Sequence, residues 1–286
     1  MSPAAQTNLA LDMGSSPDRP IGVFDSGLGG LTVLKEIINL LPGENTIYFG
    51  DSGRAPYGSK SPETIGRFSQ QIVRFLQRQQ VKIIVIACNT ASACAYDLVR
   101  NTAGVPVIEV VAPGAAAAAR ITRNGRIGVI GTRSTVESGV YIRAIRQSAG
   151  RPVEILQQAC PLFVSLAEEG WWDNSITRQI AETYLADMRS SQIDTLMLGC
   201  THYPLLSTVI SETMGPSVRL VNAGGRVAAQ VRQTLLDRGI LNETATPGWH
   251  RYYTSDSVSR FEKLGGAFLG ETIDGACQVD IEQDSV

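Results

Sequence analysis

The sequence predicts an α/β fold: two pseudo-symmetric α/β domains with largely parallel sheets, and the active site in the cleft between them. Three observations carry this expectation. Short apolar runs alternate with helical stretches, the pattern of parallel sheets flanked by helices. The runs, such as Ile83 to Ile86 and Leu196 to Leu198, lack polar alternation, as strands covered on both faces do. The series then restarts. Ile127 to Thr132 echoes Ile21 to Ser26 at an offset of 106 residues (127 minus 21), and Cys88 and Cys200, each just past such a run, stand 112 apart (200 minus 88).

In chain order, Ile21 to Phe24 reads as a strand ended by Asp25-Ser26-Gly27, and Gly27, Gly29 and Gly30 turn into an amphipathic helix, Leu31 to Leu41. Ile47 to Phe49 is a second strand, ended by Gly50-Asp51-Ser52-Gly53, and Pro56-Tyr57-Gly58 is loop. Ser61 is a helix N-cap and Pro62 suits the first helical position; Ile65, Phe68, Ile72 and Leu76 then recur at helical spacing. The strand leading to Cys88 and a helix from Ala91 to Arg100 follow. Val107 to Gly114 is the crossover between halves. Gly224-Gly225 opens a helix over Arg226 to Leu236, and a last strand and helix cover Arg251 to Thr254 and Val258 to Leu264. The expected domains are 21–112 plus 223–286 (discontinuous) and 113–222. Residues 1–20 are expected to form a mobile N-terminal tail, from the Ser, Gly and Pro of residues 13–20.

With 286 residues, 43% of them hydrophobic, the chain can bury more than one core. A formal net charge of -2 with no Lys/Arg run argues against direct nucleic-acid binding. No window approaches a membrane span, and the start lacks the basic and long apolar stretches of a signal peptide. Five cysteines without C-x-x-C spacing predict free thiols in a reduced, cytoplasmic setting. Two histidines and no ligand spacing argue against zinc, so no metal is expected. No lysine stands in a Schiff-base motif, and pyridoxal phosphate is not expected.

Open α/β sheets bind ligands at the carboxyl ends of their strands. Cys88 and Cys200 sit at such ends, and two thiols facing one cleft suit acid/base chemistry on both sides of one substrate atom. A helix start at Cys88 favours a thiolate. Asp25 shares the sheet edge with Cys88, and His202, two residues past Cys200, is a proton partner for it. Cys94, Cys160 and Cys277 read as ordinary small hydrophobes. Gly27-Leu28-Gly29-Gly30 fits neither phosphate-loop pattern, and its glycines are expected to admit a small anion such as a carboxylate. Ser26, Asn89, Thr90, Thr132, Thr135 and Thr201 add neutral donors suited to an amino acid.

These residues resemble the glutamate racemase family. The matching motifs are Ile21 to Gly30 (IGVFDSGLGG), Pro56-Tyr57-Gly58, Ala87 to Ala91 (ACNTA), Gly131-Thr132, Ala159-Cys160-Pro161 and Gly199 to Pro204 (GCTHYP). The resemblance implies cofactor-independent interconversion of L- and D-glutamate for peptidoglycan, with Cys88 and Cys200 as the two bases. It implies that Asp25 assists Cys88, and that His202 and Glu168 assist Cys200, with Glu169 as the alternative register. Substrate contacts carry to Asp25, Ser26, Tyr57, Gly58, Asn89, Thr90, Thr201 and His202. It further implies a homodimer and, for some members with N-terminal extensions, activation by a cell-wall precursor. Competing readings are an aspartate or other amino-acid racemase of the superfamily, a regulatory partner that inhibits DNA gyrase, and a thiol redox enzyme.

Overall fold

A computed structural model describes residues 16–282. The first series is β1 (Ile21–Asp25), α1 (Leu31–Leu40), β2 (Thr46–Gly50), α2 (Pro62–Arg78), β3 (Ile83–Ile86), α3 (Asn89–Thr102) and β4 (Val107–Glu109). Helix α4 (Val111–Ile121) leads into the second: β5 (Arg126–Gly131), α5 (Arg133–Glu137), α6 (Val140–Ala149), β6 (Glu154–Ala159), α7 (Leu162–Glu168), α8 (Ser175–Ser190), β7 (Thr195–Gly199), α9 (Ser207–Met214) and β8 (Arg219–Val221). The chain closes with α10 (Gly224–Asp237), β9 (His250–Thr254), α11 (Val258–Leu269) and β10 (Cys277–Gln278).

Both sheets are parallel, and they repeat one topology. The first runs β10-β9-β2-β1-β3-β4 and the second β6-β5-β7-β8. Without β9 and β10, each has the order 2-1-3-4. The last strand and helix do return to the first sheet: β9 pairs with β2 from Thr46↔His250 to Gly50↔Thr254. In each sheet the connections leave the first and third strands in opposite directions. A crevice therefore opens between their carboxyl ends, where such folds hold ligands. Asp25 and Cys88 flank it in the first sheet, Thr132 and Cys200 in the second.

Alternation along the strands assigns the core. Ile21 and Val23 face one apolar cluster with Ile127 and Val129 of β5 and the helices α1, α4, α6 and α10. Phe24 faces a second cluster under α2 and α3, and Ile130 a third under α8 and α9. The shared cluster joins the two halves through apolar contact, which fixes the cleft's walls.

The expected crossover, Val107 to Gly114, is taken up by β4 and the start of helix α4. Pro113 lies in its first turn, where the missing N–H has no intrahelical partner to lose. The carboxylate of Glu109 accepts from the amides of Val111 and Ala112 and satisfies that helix start.

Of the segment 1–20 expected as a mobile tail, residues 1–15 lie outside the described residues. Residues 16–20 are held in place instead. Lys82 Nζ donates to Pro17 O (2.6 Å) and Ile240 O (2.9 Å), and Asn45 Nδ2 donates to Asp18 O (2.9 Å). Lys82 also pairs with Glu44 at 2.6 Å, both side chains being almost wholly buried. Lys82→Ala would leave Glu44 as an unpaired buried carboxylate, and is expected to cost about 3–5 kcal/mol in denaturant unfolding. The double variant Lys82→Met/Glu44→Leu is expected to regain most of that stability, since it removes the orphaned charge.

Candidate active site

Cys88 precedes the first turn of α3. The amide of Ala91 donates to its sulfur at 3.4 Å, and its thiol donates to Ser26 Oγ at 3.6 Å. The sequence expectation of a thiolate favoured by the helix start needs correction here. Burial, followed by the charge of Asp25, pushes the Cys88 thiol up to about 12, and the Ala91 and Ser26 contacts only partly oppose this. In this geometry Cys88 is a protonated thiol. Asp25 is itself fully buried. Burial raises its pKa above the usual carboxylate value, against the nearby His202 and the amides of Gly30, Gly27 and Ser26.

Cys200 has a different partner. Its sulfur lies 3.8 Å from Nδ1 of His202, whose Nε2 lies 3.1 Å from Glu168 Oε1. Burial alone would lower the imidazole's pKa. The contacts with Cys200 and Glu168 prevail and raise it to about 10. His202 is thus an imidazolium near neutrality, set between Cys200 and Glu168. Burial acts to raise Glu168's pKa, but its bond to His202 and the charges of His202 and Arg260 hold it below the ordinary value. Glu169 is exposed, so the carboxylate at His202 is Glu168.

The two cysteine groups meet at Asp25. Thr201 Oγ1 donates to Asp25 Oδ1 at 3.4 Å, and the amide of Gly27 donates to Asp25 Oδ2 at 3.0 Å. A Cβ on Gly29 would stand 2.2 Å from Thr201 Oγ1 and 2.5 Å from His202 Nδ1. A Cβ on Gly30 would stand 2.5 Å from the Cβ of Asp25. Gly29 thus lets this loop touch the opposite half, and Gly30 lets it lie against Asp25 in its own half.

Three of the neutral donors cluster together. The hydroxyls of Thr90, Thr132 and Thr135 form a closed triangle with edges of 2.9, 3.3 and 3.0 Å. Two come from the second half and one from the first, so the triangle bridges the cleft. Ser134 Oγ donates to Gly58 O at 2.8 Å, and a Cβ on Gly58 would meet Thr132 at 2.7 Å. Tyr57 gives its hydroxyl to buried Asp51, which also accepts from Ser255 and pairs with Arg54.

Three contacts at this site have no sequence signal. Tyr141 of α6 donates to Asn89 Oδ1 at 2.6 Å across the cleft. Asp51 reads in the sequence only as a strand terminator. Phe268 of α11 packs edge-on against His202, with ring centroids 5.4 Å apart at 83°.

All five cysteines are free. Among the described residues, no group of three His, Cys, Asp or Glu side chains is placed to hold a metal ion, and no helix is long and apolar enough to cross a membrane.

Residues 21–231 match the family model described as Asp/Glu/Hydantoin racemase. A glutamate racemase of Geobacter metallireducens is 50% identical over 268 residues, covering 94% of this chain and 99% of that protein. The crystal structure of glutamate racemase from Francisella tularensis in complex with D-glutamate superposes with a TM-score of 0.87 at 37% identity, covering 93% of this chain and 99% of that one. The Escherichia coli glutamate racemase in complex with L-glutamate and activator UDP-MurNAc-ala gives 0.76 at 29% identity, covering 91% and 98%.

Proposed function

The chain belongs to the Asp/Glu/hydantoin racemase family, and on that premise we propose that it interconverts L- and D-glutamate by a two-base mechanism with Cys88 and Cys200. One observation carries this reading. Two cysteines follow equivalent strands of two like sheets, one backed by Asp25 and Ser26 and the other by His202 and Glu168, with Thr201 joining the groups at Asp25.

A thiolate at Cys200 takes the α-proton: the Cα–H bond breaks and an S–H bond forms. The thiol of Cys88 delivers its proton to the opposite face, leaving Cys88 as the thiolate. The reverse direction uses the same groups with the roles exchanged. A single base tends to return the proton to the face it came from, whereas two bases on opposite faces produce inversion. The developing carbanion is stabilised by placed charge in a closed, dry cleft. Asn89, Ser26, the three threonines and the main chain at Tyr57-Gly58 hold the carboxylates. Asp25 and the His202–Glu168 pair reset the protons between turnovers.

The product supplies D-glutamate for peptidoglycan, the enzyme works in the cytoplasm, and its domains are 21–112 plus 223–286 and 113–222. Circular dichroism with L-glutamate, D-glutamate and L-aspartate, with no cofactor added, tests the reading. Loss of optical activity from both glutamate enantiomers but not aspartate is the expected result. Racemisation of aspartate instead would move the substrate to another member of the superfamily. Silence with glutamate, repeated with UDP-MurNAc-ala present, would overturn the assignment. The active form is a homodimer, and sedimentation velocity showing only monomer across micromolar concentrations would refute that.

A further inference from the structure

His202 has a demanding geometric task. One ring nitrogen must face Cys200 and the other Glu168, which come from different elements, the loop after β7 and the end of α7. A ring rotated about its own axis loses both contacts at once. The polar partners alone leave the ring room to tilt, since the sulfur contact is 3.8 Å long and 27% of the Glu168 side chain is exposed. Something apolar must hold the plane.

We infer that Phe268 is a positioning residue for racemisation: its ring, set perpendicular to His202, fixes the imidazole in the orientation that serves both Cys200 and Glu168. The perpendicular packing is the favoured arrangement of two aromatic rings. Phe268 is 3% exposed, so its own ring is locked by packing. Helix α11 is in turn seated on the start of α1 and on Leu28 of the loop between β1 and α1. A Cβ on Gly265 would meet Leu31 Cδ1 at 3.0 Å and Ile273 Cδ1 at 2.9 Å, so the helix packs closely there. Phe268 also lines a cavity of about 190 Å³ bounded by Cys200, Thr201, Leu205 and Asn222. Its ring therefore separates His202 from a space that would otherwise let the imidazole swing and water approach. The same helix carries Arg260, whose charge acts on Glu168 from the other end of the pair.

The inference rests on His202 serving Cys200 as proposed above, so the test includes a readout independent of turnover. Phe268→Leu and Phe268→Met keep an apolar side chain and lose the ring, whereas Phe268→Tyr keeps the ring. Thermal melts establish that each variant is folded. The protein has only two histidines, and His250→Gln leaves the His202 imidazole as the single histidine signal in nitrogen NMR. The charged or titratable groups facing that ring are Cys200, Glu168 and Asp25, and the first two contacts raise its titration midpoint.

With the ring lost, kcat is expected to fall about ten-fold in both directions with KM within about two-fold, since sub-ångström misplacement of a catalytic group acts on the chemical step. The His202 midpoint is expected to move down from about 10 in the same variants. Phe268→Tyr is expected to keep both values near those of the parent. Unchanged kcat in Phe268→Leu would overturn the inference, as would lowered kcat with an unmoved imidazole midpoint. Equal impairment in Phe268→Tyr and Phe268→Leu would do the same, by assigning the effect to packing volume. If the parent fails to racemise glutamate while the imidazole midpoint still falls on ring loss, the substrate reading fails and the positioning role stands.

Discussion

Cys88→Ala and Cys200→Ala are each expected to lower glutamate racemisation by about 10³-fold or more, within or beyond what one positioned acid or base contributes. Both variants should fold. The alanine at 88 removes the sulfur that accepts from the Ala91 amide, at a cost of about 1 kcal/mol, typical of a lost helix cap. The two variants should differ in a way that simple inactivation does not produce. In deuterium oxide, each retains one thiol on one face, so each should exchange the α-hydrogen of only one glutamate enantiomer without inverting it. The enantiomer should be opposite for the two variants. Racemisation within ten-fold of the parent in either variant would remove the two-base arrangement, and exchange of both enantiomers by a single variant would point to another base.

Gly29→Ala is expected to lower kcat by about 10²-fold, the penalty of a misplacement near 1 Å. The backbone is not the obstacle, because Gly29 is not among the residues with positive φ. The obstacle is space: the new methyl would fall 2.2 Å from Thr201 Oγ1 and 2.5 Å from His202 Nδ1, well inside contact distance. Thr201 and His202 must retreat, which loosens the Thr201–Asp25 bond and turns the imidazole from Cys200. Far-ultraviolet circular dichroism should remain that of the parent while turnover falls. Parent-like kcat would mean that the loop yields and that its contact with the opposite half is dispensable.

The sequence made most of the strand framework legible, and the reason is local. Asp25, Cys88, Thr132 and Cys200 end buried strands, and a buried parallel strand announces itself by an uninterrupted apolar run. Strand β6 escapes notice because it lies at a sheet edge and most of its residues are half-buried. Helix α11 extends to Leu269 rather than ending at Leu264, because Gly265-Gly266 reads as a stop. Gly265 is there for close packing against Leu31 and Ile273. Tyr141, Asp51 and Phe268 act through contacts that cross the fold, and no spacing in the chain encodes them. The expected thiolate at Cys88 failed for a related reason. The helix start is local and visible, whereas the burial and the Asp25 carboxylate that outweigh it are assembled in three dimensions.

The return of β9 to the edge of β2 has a consequence for biosynthesis. As the chain leaves the ribosome, β1 to β4 can pair in turn, but the free edge of β2 stays unpaired until residues 250–254 emerge. An open edge is a template for pairing with another chain. The ring against His202 arrives later still, at residue 268. A nascent chain thus carries both cysteines for some 70 residues before their surroundings are complete, at roughly 5–20 residues per second a delay of about 3–14 s. Both thiols are thus made early, and the walls around them are completed only when β9 and Phe268 have followed.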